Sequence, residues 1–143
     1  AILSDVIENT RLRYPDVRII VNNPETALVI YGDEFHFTNI VYNLIDNAVK
    51  YCEGTPEIII SITKEAQKIR LEFADNGIGI SQKNISFIFD KFYRIPSKKS
   101  NEVTGFGLGL YYVKKICKLH HWKITAKSNL EKGTVITLLI PEN

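Results

Sequence analysis

"NIVYNLIDNAVKY", Asn39 to Tyr51, has the apolar spacing of a helix but places asparagine at 39, 43 and 47. Asparagine costs a helix interior about 0.5 kcal/mol relative to alanine, because its amide competes for backbone hydrogen bonds. From Glu34 to Tyr51, the residues Phe37, Val41, Leu44 and Ala48 recur at spacings of 4, 3 and 4, which is one helix face turned to a core. With Asn43 at zero and about 100° per residue, Asn39 falls at about −40°, Asn47 at about +40° and Lys50 at about −20°. Three amides and one ammonium therefore share a stripe beside the core-facing residues. That stripe is either a solvated polar face or the wall of a ligand site. An asparagine carbonyl is a hard neutral oxygen able to coordinate Mg²⁺, and a lysine can meet a phosphate as a point charge.

The 143 residues, 45% apolar, suit a single domain spanning 1–143 that buries its core without disulfides or metals. A net charge of +2 suggests no nucleic-acid partner, and the plentiful aromatics argue against disorder. Cys52 and Cys117 have neither C-x-x-C nor zinc-ligand spacing and are expected to be plain thiols in a reducing compartment. No apolar run approaches the roughly 20 residues that span a bilayer, and the start has no signal-peptide pattern. The chain lacks methionine and opens inside a helical pattern, so it is expected to be excised from a longer protein.

Around the asparagine helix the other elements can be placed. Residues 1–13 carry a weak helical pattern of Ile2, Leu3, Val6 and Ile7, ended by "YPD". "VRIIV" (17–21) and "ALVIY" (27–31) read as adjacent strands joined by "NNPET", and "EIIISITK" (57–64) with "KIRLEFAD" (68–75) as an antiparallel hairpin. Residues 80–104 hold at most a helical turn or two and read as a lid. Leu108, Tyr112, Ile116 and Leu119 then repeat at helical spacing, and "WKITAKS" (122–128) and "TVITLLI" (134–140) close the chain as strands. The order predicts a two-layer α/β sandwich: a mixed sheet of five or more strands against three helices.

Two glycine-punctuated stretches frame the asparagine helix. "DNGIGI", Asp75 to Ile80, puts a carboxylate at a strand end before Gly77 and Gly79, which permit positive φ or close backbone approach. It is either a simple strand-to-turn transition or a place where an aspartate accepts a hydrogen bond from an exocyclic amine. "TGFGLGL", Thr104 to Leu110, supplies Gly105, Gly107 and Gly109 before a helix, where backbone N–H groups and the helix dipole suit phosphate. It matches neither the Rossmann nor the Walker glycine pattern, and it reads equally as a turn that starts a helix.

Together these elements resemble the ATP-binding motifs of two-component sensor histidine kinases, whose catalytic domain shares the Bergerat fold with gyrase, mismatch-repair and chaperone ATPases. "NLIDNAVKY" resembles the asparagine box, "DNGIGI" the first glycine box, "FIFDKFYR" the phenylalanine box, "GFGLGL" the second glycine box and "GTVITLLIP" the closing strand. The resemblance implies that Asn47 ligates Mg²⁺, that Asn43 contacts phosphate or the metal's water shell, and that Lys50 binds phosphate. It implies that Tyr51 packs on adenine, that Asp75 accepts from its amino group, and that Gly77, Gly79 and Ile80 shape the base pocket. Gly105, Gly107, Leu108, Gly109 and Leu110 would cradle the triphosphate, and Thr134 would sit near the base. In the lid, Arg94 is expected to reach the phosphates ahead of Lys91, Lys98 and Lys99, while Phe89 and Phe92 anchor it to the core. The lysine-rich "PSKKSNE" is either solvated or recruits phosphate.

The superfamily's ATPases resemble one another in a glutamate four residues before the metal-binding asparagine, and this chain has Asn43 there. Losing that base costs water attack about 10²- to 10⁴-fold, so the resemblance implies a kinase that keeps its γ-phosphate for a protein acceptor. That acceptor would be a histidine on a separate dimeric helical domain upstream, relaying to a response-regulator receiver domain. The full-length protein would be a membrane-anchored sensor with this domain in the cytoplasm. His36, His120 and His121 are expected to be packing or surface residues, so this chain would bind ATP and Mg²⁺ without autophosphorylating. Alternatives are a nucleotide-binding regulatory module without kinase activity and, disfavoured by Asn43, a superfamily ATPase. The family's usual His-Gly-Gly after the last helix is His120-His121-Trp122 here, so a left-handed histidine would have to build that turn.

Overall fold

The computed structural model describes residues 2–22, 34–52, 54–65, 67–90, 109–129 and 133–141. In chain order these form α1 (Ile2–Arg13), β1 (Arg18–Asn22), α2 (Glu34–Lys50), β2 (Glu57–Glu65), β3 (Lys68–Asp75), a 3₁₀ turn (Ile85–Phe87), α3 (Gly109–Leu119), β4 (Lys123–Asn129) and β5 (Gly133–Pro141). The five strands form one mixed sheet in the order β1-β2-β3-β5-β4. β1 runs parallel to β2, and the other neighbours are antiparallel. The expected partner strand at 27–31 lies outside the described residues.

β3 occupies the middle of the sheet, and its alternation decides which face is covered. Ile69, Leu71 and Phe73 are buried and Arg70 and Glu72 only partly so. Each fully buried apolar side chain contributes about 1.5–3 kcal/mol. Ile58 and Ile60 of β2 and Ile136, Leu138 and Ile140 of β5 extend the buried face on either side. α2 lays Phe37, Val41, Leu44 and Ala48 into the same core, as their spacing predicts, with Ile40 and Ile45 added.

α3 departs from its expected stripe. Its buried side chains are Leu110, Val113, Ile116 and Cys117, while Leu119 is 65% exposed and Tyr112 only partly covered. Ile116 is buried as expected, Leu119 sits in the last turn, beyond the core, and Leu108 lies outside the described residues. Burial pushes the Cys117 thiol up to about 12, and neither Cys52 nor Cys117 is in a disulfide.

The turn after α3 is built by a left-handed histidine: His121 has φ 61°. The Trp122 amide donates to Cys117 O at 2.8 Å and the His121 amide to Lys118 O at 3.2 Å, the paired bonds of a Schellman cap. Trp122, expected in the following strand, instead stands before it, buried, with its ring 4.8 Å from His120 and 6.3 Å from Phe37. His120 in turn meets the His36 ring edge-on at 5.8 Å, so both histidines pack between α2 and α3. His121 is exposed.

Candidate functional site

A cleft, open to solvent on one side, lies where β3 ends, between α2, the first turn of α3 and the start of β5. Its apolar walls are Leu44, Ala48, Ile78, Ile80, Leu110 and Ile136. Asn47, Tyr51, Asp75, Gly79 and Thr134 complete it, so α2 and β5 bring together Asn47 and Thr134, 87 positions apart in the chain. An apolar slot with a few convergent polar groups is the usual form of a small-molecule site.

Asp75 is the polar centre of the cleft. One carboxylate oxygen, Oδ1, accepts from the amides of Gly77 at 2.9 Å and Thr134 at 3.2 Å. Burial raises the carboxyl above its ordinary range, and these two amide bonds work against that rise. Because both amides bind Oδ1, they orient the carboxylate and leave Oδ2 as the acceptor for a ligand donor.

The glycines of "DNGIGI" act differently from one another. Gly79 has φ 76°, a left-handed conformation. Gly77 is required by close approach: a Cβ there would lie 2.7 Å from Tyr51 O and 3.0 Å from Asp75 Oδ1. The neighbouring Ile78 amide donates to Tyr51 O at 2.9 Å, closing the loop onto the end of α2.

The asparagine stripe resolves into separate roles. Asn39 Nδ2 donates to Phe35 O at 2.9 Å and Asn43 Nδ2 to Asn39 O at 2.8 Å, each bonding back one turn. With its amide nitrogen so engaged, Asn43 turns Oδ1 toward Gly109, where a Cβ would lie only 3.3 Å away. Asn43 thus borders the first turn of α3 rather than lining the cleft, while Asn47 lines it directly. Lys50 lies off the cleft lining and pairs with Asp46 Oδ2 at 3.0 Å. Among the described residues no cluster of three His, Cys, Asp or Glu could cage a metal. This donor set suits Mg²⁺ held by one amide oxygen with phosphates and water.

The expected lid begins with a docked segment: Ile80 and Ile88 are buried, and Phe89 packs on the core beneath Lys114, 5.4 Å from its ring. Arg94, Gly105, Gly107 and Leu108, with Lys91, Phe92, Lys98 and Lys99, lie outside the described residues.

Two residues missed in the sequence stand behind the cleft and brace its lining. Gly133 has φ 98°, and a Cβ on it would fall 1.9 Å from Asp75 O. The glycine before a closing strand was the signal available for it. Ser128, buried on β4, binds Ile80 N at 2.6 Å, Gly133 O at 2.9 Å and Thr134 Oγ1 at 2.8 Å through one hydroxyl. Its carbonyl accepts from Gln82 Nε2 at 2.9 Å. Nothing in the local sequence "TAKSN" marks this serine.

A mixed sheet with helices on one face thus carries, at the end of its middle strand, a cleft with a half-buried carboxylate, Asn47 in its wall and Asn43 beside the first turn of α3. The family model for "Histidine kinase-, DNA gyrase B-, and HSP90-like ATPase" matches residues 32–143. The chain belongs to that family. It is 42% identical to Sensor protein RprX of Bacteroides fragilis over 126 residues, 87% of this chain and 24% of that protein. It is 32% identical to Sensor histidine kinase WalK of Bacillus subtilis over 143 residues, 99% of this chain and 23% of that protein. The chain therefore spans about a quarter of the length of these relatives. In fold it matches the mycobacterial sensor histidine kinase MprB, with TM-score 0.85 and 24% identity over 98% of this chain and 93% of that one. Full-length ShkA in complex with AMPPNP matches with TM-score 0.83 and 22% identity, over 98% of this chain and 29% of that one.

Proposed function

We propose that this domain binds Mg-ATP and donates the γ-phosphate to a histidine on a separate dimeric helical domain of the same sensor kinase, for relay to a response regulator. The observation that carries the reading is the oriented, half-buried Asp75 in an apolar slot lined by Asn47 and bordered by the first turn of α3, beside Asn43. Adenine fits the slot, its amino group donating to Asp75 Oδ2 and its ring lying against Ile78, Ile80 and Tyr51. The phosphates then extend toward the start of α3, where a Cβ on Gly109 would crowd Asn43 Oδ1 at 3.3 Å. When bound, Mg²⁺ would neutralise phosphate charge, with the Asn47 amide oxygen as its protein ligand.

Asn43 distinguishes transfer from hydrolysis. An amide cannot take a proton from water, so the chain supplies no general base at that position. Phosphoryl transfer depends mainly on positioning and charge neutralisation, which this site can supply without a nucleophile of its own. The isolated domain is accordingly expected to bind ATP, hydrolyse it slowly and not phosphorylate itself.

Titration with AMP-PNP in the presence and absence of Mg²⁺ tests the assignment. Asn47→Ala should remove the Mg²⁺-dependent part of the affinity. Asp75→Ala should weaken binding at least about tenfold, roughly 1.4 kcal/mol, with or without metal. Unchanged affinity in both variants would overturn the site.

A further inference from the structure

The hydroxyl of Ser128 makes three contacts but owns one proton. The Ile80 amide can only donate, so at 2.6 Å Ser128 Oγ is its acceptor. Gly133 O can only accept, so the Ser128 proton goes there, across 2.9 Å. The third contact, 2.8 Å to Thr134 Oγ1, is then left with one possible direction: Thr134 donates and Ser128 accepts. The Thr134 proton is consumed behind the cleft, and any contact that hydroxyl makes with a ligand is as an acceptor. Asp75, whose Oδ1 is already held by two amides, likewise offers acceptor oxygen.

We infer that Ser128 is a specificity-determining positioning residue: by taking the Thr134 proton it makes the polar edge of the base pocket acceptor-only, selecting a purine with a 6-amino group over one with a 6-keto group. The inference rests on the proposed adenine site and adds a residue that touches no ligand. An amino group supplies two protons to such an edge. A keto oxygen at the same place faces oxygen lone pairs with no proton between them, the kind of mismatch that hydrogen-bonding sites reject most strongly. Without the Ser128 hydroxyl, the Thr134 proton is released and can turn to a keto oxygen.

The test compares ADP with IDP, which differ in the 6-substituent and in the proton that IDP carries on N1, by calorimetric titration of this chain. In wild type ADP should bind more tightly than IDP. Ser128→Ala should reduce that preference about 3- to 10-fold, the equivalent of one neutral hydrogen bond, and Ser128→Thr, which keeps a hydroxyl, should restore it. Thr134→Val leaves Ser128 intact and removes the acceptor itself, so it should weaken ADP more than IDP, which keeps the proposal testable if Ser128→Ala fails to fold. A Ser128→Ala protein that loses ADP and IDP affinity equally would overturn the inference, reducing Ser128 to a brace between Ile80 and Gly133. So would a Thr134→Val protein with an unchanged ratio. Wild type that binds neither nucleotide would overturn the adenine site itself, and the inference with it.

Discussion

At Gly133 one missing carbon holds two strands and a ligand site in register. Its φ of 98° belongs to the region that side chains avoid, and its Cα lies so close to the end of β3 that a Cβ would fall 1.9 Å from Asp75 O. The same closeness brings the Thr134 amide onto Asp75 Oδ1 and the Gly133 carbonyl onto Ser128 Oγ. Gly133→Ala must therefore move β5 away from β3 or distort both. It should cost about 3 kcal/mol or more, combining a strained backbone with lost hydrogen bonds. Denaturant unfolding would measure that loss, and nucleotide titration should show weaker ADP binding as Asp75 loses an orienting amide. A fully stable variant would mean that the turn has room to relax.

α3 shows how an element can keep its function with an unfavourable cap. Its C-terminal turn follows the Schellman pattern, yet the left-handed position is held by His121, exposed, instead of glycine. Trp122 compensates in part: it is buried, and its ring links His120 to Phe37, fastening the end of α3 to α2. A non-glycine residue in this conformation costs about 1–2 kcal/mol. His121→Gly should thus raise stability by about 1 kcal/mol and Tm by about 2–6 °C, without touching the cleft at the opposite end of the helix. Thermal unfolding would check it, and a lower Tm would show that the His121 side chain makes a contribution larger than its strain. His120 and His36, which lie inside the aromatic packing, are not equivalent targets.

On the scale of the molecule, α1 is tied to the rest of the fold by polar contacts as well as by Ile7. Arg11 Nη2 donates to Ile19 O at 3.1 Å, and the Tyr14 hydroxyl donates to Asp46 Oδ1, whose other oxygen holds Lys50. Arg13 lies over the rings of both Tyr14 and Tyr42, at 5.7 and 5.4 Å. Burial, then the hydrogen bond to Asp46 and its charge, raises the Tyr14 phenol from 10.0 to about 12. The folded state holds this proton more tightly than the unfolded chain does. The stabilisation is complete below pH 10.0 and is lost as pH rises through about 12. The stability difference between wild type and Tyr14→Phe should accordingly shrink across that window. A difference independent of pH there would mean that the phenol contributes only packing.

The sequence by itself determined the elements and the chemistry at their ends. Alternation placed β3 facing a core, the 4-3-4 spacing turned α2 onto it, and a carboxylate followed by two glycines marked the end of β3 as a candidate site. These features were legible because burial periodicity and backbone conformation are properties of neighbouring residues. Only the tertiary structure decided which stripe of α3 is buried, which way Asn43 points, that Lys50 pairs with Asp46, and that Ser128 and Gly133 brace the site. Each of these is set by what stands opposite rather than by what stands beside in the chain. Ile80 and Ser128 are 48 residues apart, and the direction of a hydroxyl proton depends on every partner around it.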